Sequence, residues 1–375
     1  MTLDLESLTE LPTPSLLLDA DVLERNLLRM NRFLEQRGAW ARPHTKTHKC
    51  VEIARLQMAQ SRTVGLCCAR IAEAEALAAG GLENVLVTSP LTTAEKIERF
   101  AALASRSSGM WTVVDSPLGV DRLAEAARSR GVRCGVIIDL DPGFHRTGVP
   151  MGEAAIELGR RVLERPELEL HGVQMYAGTL MHLEAPEERR SGSADLWQQV
   201  SETVEGLRAL GADCPVVTGG GTGTFDIDAE QELTTDLQVG SYVFMDAQYR
   251  VVHNETSDGS SAPFDFFEPS LFVLASAVSQ SVPHLLTVDA GFKALSMDHA
   301  PEVVDHPKLR YHFAGDEHGI VALDRDDLAV APKLGERMVL LVSHCDPTVN
   351  LYEEYVVLRD GRPTEHWPVR ARGRA

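Results

Sequence analysis

Lysine, long apolar runs and paired cysteines are what this chain has little of. No uninterrupted apolar stretch approaches the roughly 20 residues that cross a bilayer, which argues against a membrane-spanning helix. Met1-Thr2-Leu3-Asp4-Leu5-Glu6 is acidic and carries no basic segment followed by an apolar one, so no secretory leader is expected. The six cysteines, at positions 50, 67, 68, 134, 214 and 345, show no zinc-type spacing and suit free thiols in a reducing cytosol. A cytoplasmic location is therefore expected. Positive charge is also short: 36 Lys and Arg against 55 Asp and Glu give a net charge of -19. Neither nucleic acid nor an anionic membrane is an expected partner, because both call for a basic face that neutralises phosphates.

Only six lysines occur in 375 residues, yet two of them fall within Arg42-Pro43-His44-Thr45-Lys46-Thr47-His48-Lys49. That segment follows the apolar Ala39-Trp40-Ala41, where a buried strand would end. A lysine that is partly desolvated and flanked by cations loses its proton more easily and becomes a nucleophilic amine. The competing reading is a solvated basic loop.

The surrounding pattern favours a buried strand end. From about residue 23 to 250, short apolar runs ending in polar residues alternate with Ala/Leu/Glu/Arg-rich stretches of helical period. Eight such runs can be read, at 40–44, 64–68, 84–88, 111–115, 134–139, 172–176, 215–219 and 236–240. Helices are expected between them, among others at 71–79, 93–104, 118–130 and 196–210. Eight βα units in this length predict a TIM barrel, with a doubly wound sheet as the alternative. After Tyr249 the helical period fades, and strand-like segments at 270–279, 284–288, 309–313, 338–342, 352–358 and 365–369 predict an all-β domain. Pro368 makes the last of these an edge strand. The expected division is an N-terminal strand segment, 1–22, joining the β domain; a barrel, 23–255; and the β domain, 256–375.

A barrel carries its chemistry where the strands end. The first strand delivers Lys46, the fifth is followed by Gly143-Phe144-His145-Arg146-Thr147-Gly148, and the sixth delivers Tyr176 with His182 six residues on. The seventh leads into Thr218-Gly219-Gly220-Gly221-Thr222-Gly223-Thr224, whose backbone N–H groups could converge on an anion. Ser241 and the Tyr242 amide, after the eighth strand, would complete that cradle; a flexible loop is the alternative. Farther on, His344-Cys345-Asp346 is expected to end a strand of the β domain. Residues two apart on a strand share a face, so His344 and Asp346 could hold one ion with positions left open, as Mn²⁺, Mg²⁺ or Co²⁺ prefer. A hydrogen-bonded pair beside the Pro347 turn is the alternative.

These segments, with Asp289-Ala290-Gly291 and Asp316-Glu317-His318-Gly319, run in order from about residue 13 to the end of the chain. The sequence thereby resembles the D-threonine aldolases, 3-hydroxy-D-aspartate aldolases and metal-dependent D-serine dehydratases. The resemblance implies an alanine racemase-like fold, pyridoxal 5'-phosphate, a divalent metal (Mn²⁺, with Mg²⁺, Co²⁺ or Zn²⁺ as alternatives) and a homodimer whose mate helps to form the active site. It makes Lys46 the Schiff-base lysine, with His182 or a metal-bound hydroxide taking the β-hydroxyl proton; a structural loop histidine is the alternative for His182. Arg146 would face the pyridine nitrogen, with Tyr176, Thr218, Gly220, Gly221, Thr222, Ser241 and Tyr242 as cofactor contacts. His344 and Asp346 would be the metal ligands. Ala69, His145 and Ala177 depart from the residues usual in the family.

The implied reaction cleaves a D-3-hydroxy amino acid to glycine and an aldehyde. The alternative is β-elimination to a keto acid and ammonia; dehydratases of the family tend to carry cysteine where this chain has Asp346. A non-catalytic pyridoxal phosphate carrier and a metal hydrolase built on His44 and His48 are readings from other classes.

Overall fold

The computed structural model describes residues 4–255, 261–263, 265–304, 306, 308–323 and 332–373. Seven strands lie side by side and parallel in chain order: Leu66–Cys68, Val85–Val87, Trp111–Val114, Cys134–Asp141, Leu168–Met175, Val216–Gly219 and Asp236–Leu237. A short strand, Val149–Pro150, extends the sheet beside the end of Cys134–Asp141. Segment 40–44 closes the ring as bridges rather than as a full strand. Ala41 bridges both Thr63 and Leu237, and His44 bridges Cys67. Pro43 has no N–H to give to a ladder, and the chain turns at once after His44. The result is the expected TIM barrel.

Helices cover the barrel because their apolar stripes face the sheet. Phe100, Val120, Leu123 and Leu207 all lie in the buried layer between helices and strands. Capping sets their limits: Asp19 accepts the Val22 N–H to begin Ala20–Arg37, and Gly38 ends it in the left-handed region. The helix after the sixth strand, Pro186–Ala209, begins ten residues before the start that periodicity suggested and ends within one residue of the expected end. Its first turns, Glu187-Glu188-Arg189-Arg190, carry no apolar stripe to read.

A second sheet takes in the C-terminal strands. Its order is Arg310–Phe313, Gly319–Ala322, Leu285–Val288, Leu271–Val282, Ser15–Asp19, Glu354–Arg359 and Arg362–Pro368, with Arg337–Leu341 also on Leu271–Val282 and Glu302–Val303 beyond it. Ser15–Asp19 is buried throughout and sits between Leu271–Val282 and Glu354–Arg359. The strand carrying Pro368 is at the edge. Gly319–Ala322, Glu302–Val303 and the hairpin of His253–Glu255 with Ser261–Pro263 were not legible as strands. The boundary expected after residue 255 abuts residues 256–260, outside those described, as does Met1-Thr2-Leu3.

One correction bears on the site. The strand Arg337–Leu341 ends before His344, which is the N-cap of a short helix, Cys345–Val349. Pro347 lies in that helix's first turn, where a missing N–H costs nothing. His344 and Asp346 therefore do not share a strand face.

Under the barrel's mouth runs a buried ion pair, Arg42 Nε to Asp236 Oδ1 at 3.0 Å, both side chains 4% exposed. Arg42 also stacks on Trp111, and a Cβ on Gly65 would lie 2.5 Å from its guanidinium, so that glycine makes the room. Removing one partner of a buried pair strands the other charge, at a cost of about 3–5 kcal/mol. Arg42→Met is expected to lower the urea midpoint accordingly, and Arg42→Met/Asp236→Leu to recover most of the loss.

Candidate active site

Lys46 stands in a 3-10 turn, Thr45–Thr47, immediately beyond the first strand position. His44 Nδ1 accepts the Lys46 N–H at 3.3 Å, and Thr45 Oγ1 donates to the Cys67 carbonyl at 3.0 Å. The turn is thus fixed from both sides, and Lys46 opens into a cavity of about 280 Å³ at the barrel's mouth. Its ammonium lies 5.7 Å from the centre of the Tyr176 ring, and the Arg146 guanidinium lies 5.3 Å from the same ring. Tyr176 directly follows the strand Leu168–Met175. Arg146 is aimed by its neighbour: Asp141 Oδ1 accepts the His145 N–H at 3.0 Å, while Asp141 Oδ2 takes His145 Nδ1 at 2.7 Å. His145 is held on the outside, with φ +55°, and Arg146 lines the cavity.

The fold changes the electrostatics expected of Lys46. The sequence placed cations around it, but Asp346 lies 3.7 Å from its ammonium. Burial alone would lower the Lys46 pKa; Asp346 and Tyr176 outweigh burial and the nearby Arg146 charge, and the pKa rises instead.

On the far wall the glycine run after Val216–Gly219 turns sharply. Gly220 has φ +67°, and a Cβ there would meet Asp228 Oδ2 at 2.4 Å. Gly221 approaches Met181 Sδ so closely that a Cβ would sit 2.7 Å away. Gly221, Thr222 and Ser241 line the cavity. Thr218 does not: it is fully buried, and its hydroxyl donates to Asp236 Oδ1 at 2.7 Å. Tyr242 sends its ring into the core against Phe267, where its hydroxyl accepts from Gln57 Nε2 at 3.4 Å. Its amide donates to Thr222 Oγ1 at 3.0 Å, so it braces the cradle from behind.

The cavity has room and chemistry for an aromatic, phosphate-bearing group. Two cations and an aromatic face stand on one side and a glycine cradle on the other, while the buried Thr47 Oγ1 in its lining has no partner among the described residues. Sequence reasoning missed Thr47, Thr88, Gln174, Gln238 and Tyr249 in that lining. Gln174 and Gln238 could have been found, since amides at the ends of otherwise apolar strands are uncommon.

His182 packs its ring 4.7 Å from that of Tyr249. Burial, then the charges of His344, His299 and Lys46, lower its pKa to about 4. His344 Nδ1 pairs with Asp298 Oδ2 at 2.5 Å, a partner sequence did not suggest. Among the described residues no group of three His, Cys, Asp or Glu side chains is arranged to hold a metal. One imidazole and one carboxylate two residues apart at the start of the helix Cys345–Val349 remain, a donor set that suits a hydrated, open site rather than a closed one.

His44 and His48 do not form a metal site. His44 Nε2 engages Thr88 Oγ1 and its Nδ1 the Lys46 amide. His48 turns inward, with Nε2 on Gln57 Oε1 at 3.1 Å and Nδ1 on the Cys50 amide at 3.1 Å. All four ring nitrogens are occupied, so the hydrolase reading loses its ligands. Burial lowers the His48 pKa from 6.5 to about 4. The neutral ring therefore stabilises the fold above pH 6.5, and that contribution is lost as pH falls through about 4. Urea unfolding is expected to show a decline of about 3 kcal/mol from this residue over that window, made shallower in His48→Asn.

A parallel barrel with a lysine, an arginine and a glycine cradle at its mouth, joined to a β sheet, defines the alanine racemase class of fold. The sequence profile of the alanine racemase N-terminal domain matches residues 18–248, and that of a putative serine dehydratase domain matches 270–358. A 3-hydroxy-D-aspartate aldolase of Paracoccus denitrificans (strain Pd 1222) is 37% identical over 98% of this chain and 93% of that protein. A D-threonine aldolase of an Arthrobacter species is 34% identical over 98% of this chain and 94% of that protein. The crystal structure of D-threonine aldolase from Filomicrobium marinum superposes with a TM-score of 0.92, at 36% identity, over 98% of this chain and 97% of that one. The chain belongs to the alanine racemase-like family that contains these aldolases.

Proposed function

We propose that this chain is a carbon–carbon lyase, a pyridoxal 5'-phosphate- and divalent-metal-dependent aldolase that cleaves D-3-hydroxy-α-amino acids to glycine and an aldehyde. The observation that carries this reading is the approach of Lys46 to both Tyr176 and Asp346 in a cavity that Gly221, Thr222 and Ser241 also line. The near-full-length identity to aldolases supports it.

Pyridoxal phosphate supplies, when bound, an electron sink for the charge left on Cα after bond cleavage. Lys46 provides the amine that attaches it. Gly221, Thr222 and Ser241, which line the cavity, would offer N–H and hydroxyl donors to the phosphate, with Gly220, Thr218 and the Tyr242 amide shaping that cradle from behind. Tyr176 would give the ring an aromatic wall, and the Arg146 guanidinium beside it would oppose protonation of the ring nitrogen. His182, neutral at pH 7 because burial depresses its pKa, accepts the β-hydroxyl proton. His344 and Asp346 would hold the metal, Mn²⁺ being the proposed ion, which lowers the pKa of that hydroxyl. The cytoplasm is the proposed compartment and a homodimer the proposed assembly, with segments 1–22, 23–255 and 256–375 as strand, barrel and β domain.

The match to a putative serine dehydratase domain favours one second reading, β-elimination to a keto acid and ammonia. Metal-loaded protein incubated with a panel of D-3-hydroxy amino acids separates the two. Glycine and aldehyde in equal amounts are expected, and ammonia as the main product would sink the aldolase reading.

A further inference from the structure

Arg189 lies in the first turns of the helix Pro186–Ala209 and is completely buried. A guanidinium cannot shed its proton, so burying one demands acceptors. Among the described residues no carboxylate pairs with it; Asp226 and Glu187 attract it only from a distance. Its acceptors are three main-chain carbonyls. Nη1 donates to Leu183 O at 2.6 Å and to Glu184 O at 3.1 Å, and Nη2 donates to His253 O. The same two segments are joined once more by the His253 N–H to Glu184 O at 3.1 Å.

The placement of those carbonyls is what matters. Leu183 is next to His182. His253 lies four residues beyond Tyr249, the ring against which His182 packs and which also lines the cavity. One buried cation therefore ties down both the loop that carries the imidazole and the segment that supports it. A helix start needs acceptors for its free N–H groups, and a guanidinium offers only donors, so the Arg189 side chain does not cap its own helix.

We propose that Arg189 is a positioning residue that holds His182 against Tyr249 at the mouth of the cavity. The proposal rests on His182 being the proton acceptor of the reaction. Arg189 acts through it and touches no reacting atom. A misplacement of about 1 Å in such a group is enough to cost turnover up to 100-fold.

Two measurements on the holoenzyme test it. Hydrogen exchange read by mass spectrometry in Arg189→Met is expected to quicken at least about tenfold in 177–185 and 247–253, with the cradle 219–224 unchanged. Cleavage is expected to fall by about 10- to 100-fold with cofactor absorbance retained, and Arg189→Met added to His182→Ala to cost less than about twofold more. Unchanged exchange in 177–185, or losses that multiply in the double variant, overturns the proposal. If Arg189→Met does not fold, Arg189→Lys, which keeps the charge but cannot span both segments, is expected to show a smaller loss that likewise vanishes beside His182→Ala. If His182→Ala alone stays fully active while Arg189→Met loosens 177–185, the role of His182 fails and the anchoring stands.

Discussion

Lys46→Ala is expected to lose both the visible absorbance of bound pyridoxal phosphate and turnover, the latter by about 10⁴-fold or more, equivalent to over 5 kcal/mol in the barrier. The size follows from the position of the amine. It is the lysine that opens into the cavity, it is fixed by the His44 and Thr45 contacts on either side, and it has Tyr176 and Asp346 as its near neighbours. Lys49 supplies the control, since it turns through φ +51° and spends its ammonium on Asn350 Oδ1 at 2.9 Å and Glu73 Oε1 at 3.5 Å. Lys49→Met is expected to lower stability by about 2 kcal/mol, the scale of a lost charged hydrogen bond, and to leave product formation within about threefold. Borohydride should trap the cofactor on Lys46 and on no other lysine. Retention of more than about a tenth of the activity in Lys46→Ala would return the segment to a basic loop and remove the basis of the lyase reading.

Much of the barrel was legible because parallel strands buried on both faces read as apolar runs, and polar residues begin where the runs stop. Val85–Val87 and Ile71–Ala79 fall within a residue of where the pattern put them. Side-chain direction was less legible, because it depends on turns that alternation does not describe. The 3-10 turn Thr45–Thr47 sends Lys46 outward and His48 inward to Gln57, although strand parity would give them one face. A second such turn, Ser241–Val243, leaves Ser241 on the cavity and drives the Tyr242 ring into the core. The largest surprise, Asp346 beside Lys46, joins residues 300 positions apart, and no local signal encodes that meeting. Charge pairing of this kind is set by how the helix Cys345–Val349 docks on the Lys46 turn, which is a property of packing.

That meeting also makes the two proposed metal ligands separable by experiment. A chelator is expected to lower aldol cleavage at least about 100-fold, with Mn²⁺ restoring it, since a Lewis acid on the substrate hydroxyl contributes several kcal/mol. His344→Ala should reproduce the chelated state: low activity, no response to chelator or Mn²⁺, and full cofactor absorbance, because the His344 ring leans on Asp298 while the carboxylate beside Lys46 is that of Asp346. Asp346→Ala should go further, since it removes the proposed metal ligand and the carboxylate 3.7 Å from the Lys46 ammonium together. Its cofactor retention is expected to fall along with its metal response, a combination His344→Ala does not show. Mn²⁺ binding followed by electron paramagnetic resonance gives the same comparison without turnover, and both variants should bind at least about tenfold more weakly. Undiminished Mn²⁺ affinity in both would mean that the ion, if the enzyme uses one, is held by other groups. A His344→Ala enzyme that still responds to chelator would remove the imidazole alone from the ligand set. Undiminished affinity in Asp346→Ala alone would leave Asp346 as a charge partner of Lys46 and nothing more.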